Sequence, residues 1–132
     1  MNVLVDSSAW IEYFRGNQSY AFLTGLINID AICANDIILS ELLPSIFHRN
    51  EHKLAELLNL VKKCALAIDW KEIREIQLLN LKHGNNNIGI SDIVIAQNCV
   101  QNGMKVIARD KHFEAMAMYT PLEVYREAGN GI

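Results

Sequence analysis

The sequence predicts an α/β fold, a central, mainly parallel sheet of four to five strands with helices on both faces. Three observations predict it. Short apolar runs rich in β-branched residues recur along the chain, each is followed by residues with helical apolar spacing, and several runs end on a carboxylate or amide suited to capping a helix. With 132 residues, 51% hydrophobic and 20% charged, the chain has the composition of one ordinary globular domain spanning 1–132. It carries no low-complexity tract and no repeat of solenoid length.

Val3-Leu4-Val5 opens the chain as a buried strand, and Asp6 begins a helix that runs through Trp10 to Phe14. Asn17 and Ser19 punctuate, and Tyr20, Leu23 and Ile27 with Phe22 and Leu26 predict a second, short amphipathic helix. Residues 31–34 read as the second strand. Asn35 or Asp36 caps a helix carrying Ile37, Ile38, Glu41 and Leu42, in which Pro44 removes one backbone donor and predicts a kink after Glu41. Leu54, Leu57, Leu58 and Val61 mark the next amphipathic helix.

Residues 64–68 read as the third strand, and Asp69 with Glu72 forms a capping box for a helix ending at Gly84. After Asn85-Asn86-Asn87, Asp92 opens a helix that is apolar nearly all round and stops at Gly103. Residues 105–108 read as the fourth strand. Thr120-Pro121-Leu122-Glu123 combines a cap, a first-turn proline and a capping acid, predicting a last helix over 124–128, with an edge strand near Met118. Disorder is expected only at the tail, 129–132.

Composition excludes several classes. Cys33, Cys64 and Cys99 are odd in number and lack ligand spacing, which reads as reduced, buried thiols. His48, His52, His83 and His112 show no zinc pattern. There is no basic leader and no apolar run long enough to span a bilayer, so the expected location is the cytoplasm, with no membrane partner. A net charge of -3 argues against binding nucleic acid by bulk electrostatics. Trp10 and Trp70 both fall at element starts and read as core anchors.

The acids carry the chemistry. Asp6 follows the first strand, Asp110 the fourth, Glu41 lies in the helix after the second, and Asp92 opens the buried helix. Singly, each has a plain structural explanation as a cap, a turn residue or a solvated side chain. A parallel sheet, however, places all four at its carboxyl end, where ligands bind in open α/β folds. Like charges so gathered raise one another's pKa, an objection that a divalent cation removes. Such clusters suit two-metal cleavage of phosphodiesters.

Four segments in order, VLVDSSAWIEYFRG, IILSELLP, ISDIVIAQNCVQNG and VIARDKHF, give the chain its resemblance to the PIN-domain proteins. It is most similar to the small VapC-type ribonuclease toxins, and the likeness covers essentially the whole chain. The resemblance implies a PIN-like α/β/α sandwich. It also implies a Mg²⁺- or Mn²⁺-dependent endoribonuclease of the cytoplasm, acting on RNA, with transfer RNA a common target in the family. A homodimer and a VapB-like antitoxin that often inserts an arginine among the carboxylates are implied as partners.

Carried over, the family's catalytic and metal-binding acids fall on Asp6, Glu41, Asp92 and Asp110, and its hydroxyl near the site on Ser7 or Ser8. Ala108 departs from the Thr or Ser usual two residues before the fourth acid, which leaves the positioning of Asp110 without that donor. Arg15, Arg49, Arg109, Lys111 and His112 are the nearby cations for substrate phosphates. Two other readings stand beside the nuclease. One is a catalytically weak PIN module that binds RNA or a protein without cutting. The other is a strand-end aspartate phosphatase, disfavoured because Ser8 stands where its second acid would be.

Overall fold

Strand β1 (Val3–Val5) lies at the centre of the structure, and all three of its residues are fully buried. Burial without alternation means that both faces are covered, as a parallel sheet requires. This computed structural model describes residues 2–127. The strands β2 (Ile32–Ala34), β3 (Lys62–Lys63) and β4 (Lys105–Ile107) join β1 in the order β3-β2-β1-β4. Every pairing is parallel: Val3 sits opposite Ile32 and Lys105, Val5 opposite Ile107, and Cys33 opposite Lys62. The carboxyl ends of the strands therefore share one edge.

Seven helices flank this sheet among the described residues: α1 (Ser7–Phe14), α2 (Leu23–Asn28), α3 (Asp36–His48), α4 (His52–Leu60), α5 (Trp70–Lys82), α6 (Ile90–Gln101) and α7 (His112–Ala117). None is long and apolar enough to cross a membrane. The layered α/β fold predicted from the strand and helix alternation is the one found. Asn35 provides the cap of α3, its side chain accepting from the Ile38 amide at 3.0 Å. α3 passes through Pro44 and continues to His48.

At three places the structure departs from the sequence reading. Ladder pairing of the third strand is confined to Lys62–Lys63 and the Cys64 amide, which donates to the Ala34 carbonyl at 2.8 Å. Residues 65–69 instead lean on α6. Asn98 donates to the Ala65 carbonyl at 3.1 Å, Gln101 to the Ala67 carbonyl at 2.8 Å, and Gln97 to the Asp69 carbonyl at 3.1 Å. The alternating apolar pattern there marks a half-buried extended segment whose backbone partners are side-chain amides of a helix. Gln97 also enters the capping box: its oxygen takes the Asp69 amide and its nitrogen donates to Glu72, so Glu72 does not close back on Asp69.

The second correction is at the C-terminal end. Val124 is not helical but bridges Val106 in parallel, with Val106 N–H donating to Glu123 and Tyr125 N–H to Val106. An open edge of β4 offers unpaired backbone groups, and a five-residue helix is too short to compete with them. The Thr120 hydroxyl donates to the Met116 carbonyl at 2.6 Å and closes a turn rather than capping a helix. Met118, expected beside an edge strand, lies in that turn at 84% exposure. Ala128 and the tail 129–132 lie outside the described residues. Third, α7 was not foreseen: in six residues only Phe113 and Met116 are buried, with Ala115 partly so, too few to set a period.

The predicted helix stops hold. Gly84 after α5 and Gly103 after α6 adopt φ of +79° and +62°. A Cβ added at Gly84 meets nothing within 4 Å. Gly84→Ala should therefore cost the left-handed backbone penalty alone, about 1 kcal/mol, seen as a lower urea midpoint at unchanged slope.

Candidate active site

Asp6 ends β1 and caps α1, so its position is fixed from both sides. One carboxylate oxygen, Oδ2, accepts from the Ser8 amide at 3.2 Å and the Ser8 hydroxyl at 2.7 Å. The other, Oδ1, is buried and has no hydrogen-bond partner, in a side chain whose residue is 2% exposed. An orphaned buried carboxylate oxygen is costly unless something absent from the chain itself satisfies it.

Around Asp6 the other acids gather. Ser7 donates its hydroxyl to Glu41 on α3 at 3.2 Å. The Ser8 hydroxyl also accepts from the Arg109 and Asp110 amides at 3.0 and 3.4 Å, tying the end of β1 to the turn that carries Asp110. The hydroxyls of Ser7 and Ser8, which the resemblance puts near the site and makes candidates for contacting substrate, are thus engaged with the acids. Ser8 also supplies a contact to the Asp110 turn where Ala108 brings none. Asp92, in the first turn of α6, meets His112 Nδ1 at 2.8 Å. Ligand atoms of Asp92, Asp110 and His112 all lie within 4.8 Å of one another, the one such cluster of three among the described residues.

The acids sense each other. Burial pushes the Asp6 carboxyl above its ordinary value; Asp92 and Asp110 add to the rise, and the hydrogen bonds from Ser8 oppose it. Glu41 is raised as well, by burial first, then by Asp6, with smaller contributions from Asp92 and Asp110. Asp6 is tied through Ser8 to the Asp110 turn and Glu41 is held by Ser7 at the start of α1, so both acids stand beside the cluster of Asp92, Asp110 and His112, which does not itself include them.

The cations surround these acids. Arg15, Arg109, Lys111 and His112 line an open groove with Asp110 and Ser8, and Arg49 lines a neighbouring groove with Arg15 and Glu41. Two residues have partners that sequence reasoning missed. His112, grouped with the phosphate cations, is bonded to Asp92. Glu12 carries both arginines, pairing with Arg15 at 3.1 Å and Arg109 at 3.7 Å. Only the Glu12-to-Arg15 spacing of three was visible in the sequence. Trp10 is fully buried as expected, whereas Trp70 is 54% exposed and anchors nothing in the core.

Comparison with known proteins places this geometry in context. The PIN domain family profile matches residues 3–118. VapC ribonuclease Mb1587 of Mycobacterium bovis is 30% identical over 128 residues, covering 92% of this chain and 96% of that protein. Ribonuclease VapC11 of Mycobacterium tuberculosis matches with the same identity and coverage, 30%, 92% and 96%. Among solved structures, that of VapBC2 from Rickettsia felis bound to a promoter DNA fragment superposes with a TM-score of 0.71. It covers 95% of this chain and 98% of its own at 16% identity, a likeness of fold.

Proposed function

This chain belongs to the PIN-domain family, among its VapC relatives, and from that premise we propose that it is a metal-dependent endoribonuclease, the toxin of a VapBC-type pair. The observation that carries the reading is the four-acid rim around the unpartnered Asp6 Oδ1. Hard oxygen donors, mutually repelling and with one buried oxygen left unsatisfied, fit Mg²⁺ or Mn²⁺. Asp6, Glu41, Asp92 and Asp110 would hold the ion. Once bound, it supplies Lewis acidity and the positive charge that phosphodiester hydrolysis requires.

The chain's own residues do the rest. Ser8 holds Asp6 Oδ2, leaving Oδ1 as the free donor, and steadies the Asp110 turn. Ser7 orients Glu41, and His112 orients Asp92. Arg15, Arg109 and Lys111 line the groove where RNA phosphates approach. A VapB-like antitoxin, a homodimeric state and a cytoplasmic location complete the proposal. The relatives' names support the antitoxin pairing.

The test is cleavage of structured RNA, transfer RNA included, by the purified protein. Activity is expected with Mg²⁺ or Mn²⁺, and it should vanish on adding EDTA and return when the metal is replenished. RNA bound but left intact at saturating metal would instead support a binding module that does not cut.

A further inference from the structure

We propose that Glu12 is a positioning residue, its carboxylate yoking Arg15 and Arg109 into one guanidinium pair that holds a phosphate of the RNA strand beside the four acids. The role rests on the nuclease reading above. Glu12 Oε1 is fixed by the Asn17 side-chain amide at 3.1 Å. Its Oε2 meets Arg15 Nη1 at 3.1 Å and Arg109 Nη1 at 3.7 Å. The anion is sunk to 12% exposure, while the arginine side chains stand 67% and 65% exposed. One arginine comes from the end of α1 and the other from the turn after β4, so the carboxylate joins two segments that do not otherwise share a charge.

Stability is a poor reason for this arrangement, because surface ion pairs contribute little. Binding is a better one. Two guanidiniums repel each other when brought together, and one carboxylate between them holds both while cancelling a single charge, so the trio stays cationic. Each guanidinium has five N–H donors in a planar fork, and the bonds to Glu12 leave most of them free for a phosphate. The Asn17 amide and the two arginines hold the Glu12 carboxyl below the ordinary range, against a partial opposing effect of burial. The pair opens on the same groove as Asp110 and His112. In a chain of net charge -3 with an acidic rim, a local cationic pair gives a polyanion a place to rest near the acids.

The experiment compares Glu12→Gln with the parent protein in two settings. In an Asp92→Asn background, which removes cutting, binding of a labelled single-stranded RNA is followed as salt is varied. Glu12→Gln should weaken affinity about fivefold to tenfold and reduce the salt slope by roughly 0.7 for each phosphate no longer neutralised. In the cleavage-competent protein KM should rise by a similar factor while kcat stays within about twofold. With Arg15→Ala and Arg109→Ala already present, Glu12→Gln should add nothing.

Tighter RNA binding by Glu12→Gln would overturn the proposal, since it would make Glu12 a mere counter-charge. An undiminished loss in the background lacking Arg15 and Arg109 would overturn it too, by showing that Glu12 acts through the fold. Failure of the parent protein to bind or cut RNA sinks the nuclease reading and this proposal together. Normal cutting with an unchanged Glu12→Gln variant sinks this proposal alone.

Discussion

Asp6→Asn should reduce RNA cleavage by about a thousandfold or more and, in EDTA at neutral pH, should raise the melting temperature. Both effects come from the same oxygen. On the proposed metal-dependent reading, losing the anionic Asp6 donor should remove several kcal/mol of transition-state stabilisation, and about 4 kcal/mol corresponds to a factor of a thousand. Asparagine nevertheless keeps an oxygen for the Ser8 amide and hydroxyl, so the α1 cap survives. What the substitution removes is a buried charge facing Glu41, Asp92 and Asp110.

The pH dependence fixes the sign. The folded-state pKa of Asp6 lies above its ordinary 3.8. Between the two values the folded state binds more protons than the unfolded one, so stability falls as pH rises through that window. The melting advantage of Asp6→Asn should be absent below the ordinary carboxylate range, grow as pH rises through the raised folded value, and then level off. Adding Mg²⁺ or Mn²⁺ should reverse the ranking, because an ion that binds only the folded parent protein raises its stability by mass action. A variant that melts lower than the parent in EDTA at neutral pH would make Asp6 a structural cap and remove the support for a metal site.

Asp6, Asp92 and Asp110 were legible as candidates because each sits where local chemistry announces an element boundary, Asp6 at a strand end, Asp92 at the first turn of a buried helix and Asp110 after a β-branched run, whereas Glu41 lies inside α3 and stood out only by its place in the IILSELLP segment. A parallel sheet then gathers such boundaries on one edge, so topology alone supplied the long-range information. Glu12 was illegible for the opposite reason. On the polar side of α1 it looks like any solvated acid, and its second partner, Arg109, belongs to a turn whose place is set by β4 pairing with β1. His112 was hidden the same way, being the first residue of a helix too short to be read from its period.

The misread segments share a cause. Residues 65–69 and Val124 are extended or apolar by sequence, but their backbone partners are chosen by distant groups, the amides of α6 and the open edge of β4. Local pattern reports the shape of such a segment and is silent on who satisfies its N–H and C=O groups. Those partners decide whether it becomes a strand, a strap or a bridge.

Asn98→Ala should be among the most destabilising single changes in the molecule, costing about 3 kcal/mol and lowering the melting temperature by on the order of 10 °C. Asn98 is 2% exposed. Its oxygen accepts from the fully buried Asn35 at 3.1 Å and its nitrogen donates to the Ala65 carbonyl at 3.1 Å, while Asn35 caps α3 through Ile38 at 3.0 Å. Removing the Asn98 side chain strands a buried donor on Asn35 and takes from the Ala65 carbonyl its side-chain partner. The stranded, fully buried Asn35 donor costs about 1–3 kcal/mol, and the lost bond to the exposed Ala65 adds about 1 kcal/mol.

Asn98→Leu, which fills the volume but restores no hydrogen bond, should be nearly as unstable; recovery by leucine would show that packing, not polarity, is at stake. The start of α3 should also loosen, seen as faster amide exchange at Ile38. Because Glu41 rides on α3 beyond that cap, the metal affinity proposed for the site should fall along with stability. The amide network thus runs from Asn98 on α6 through Asn35 to the first turn of α3, the helix that carries Glu41.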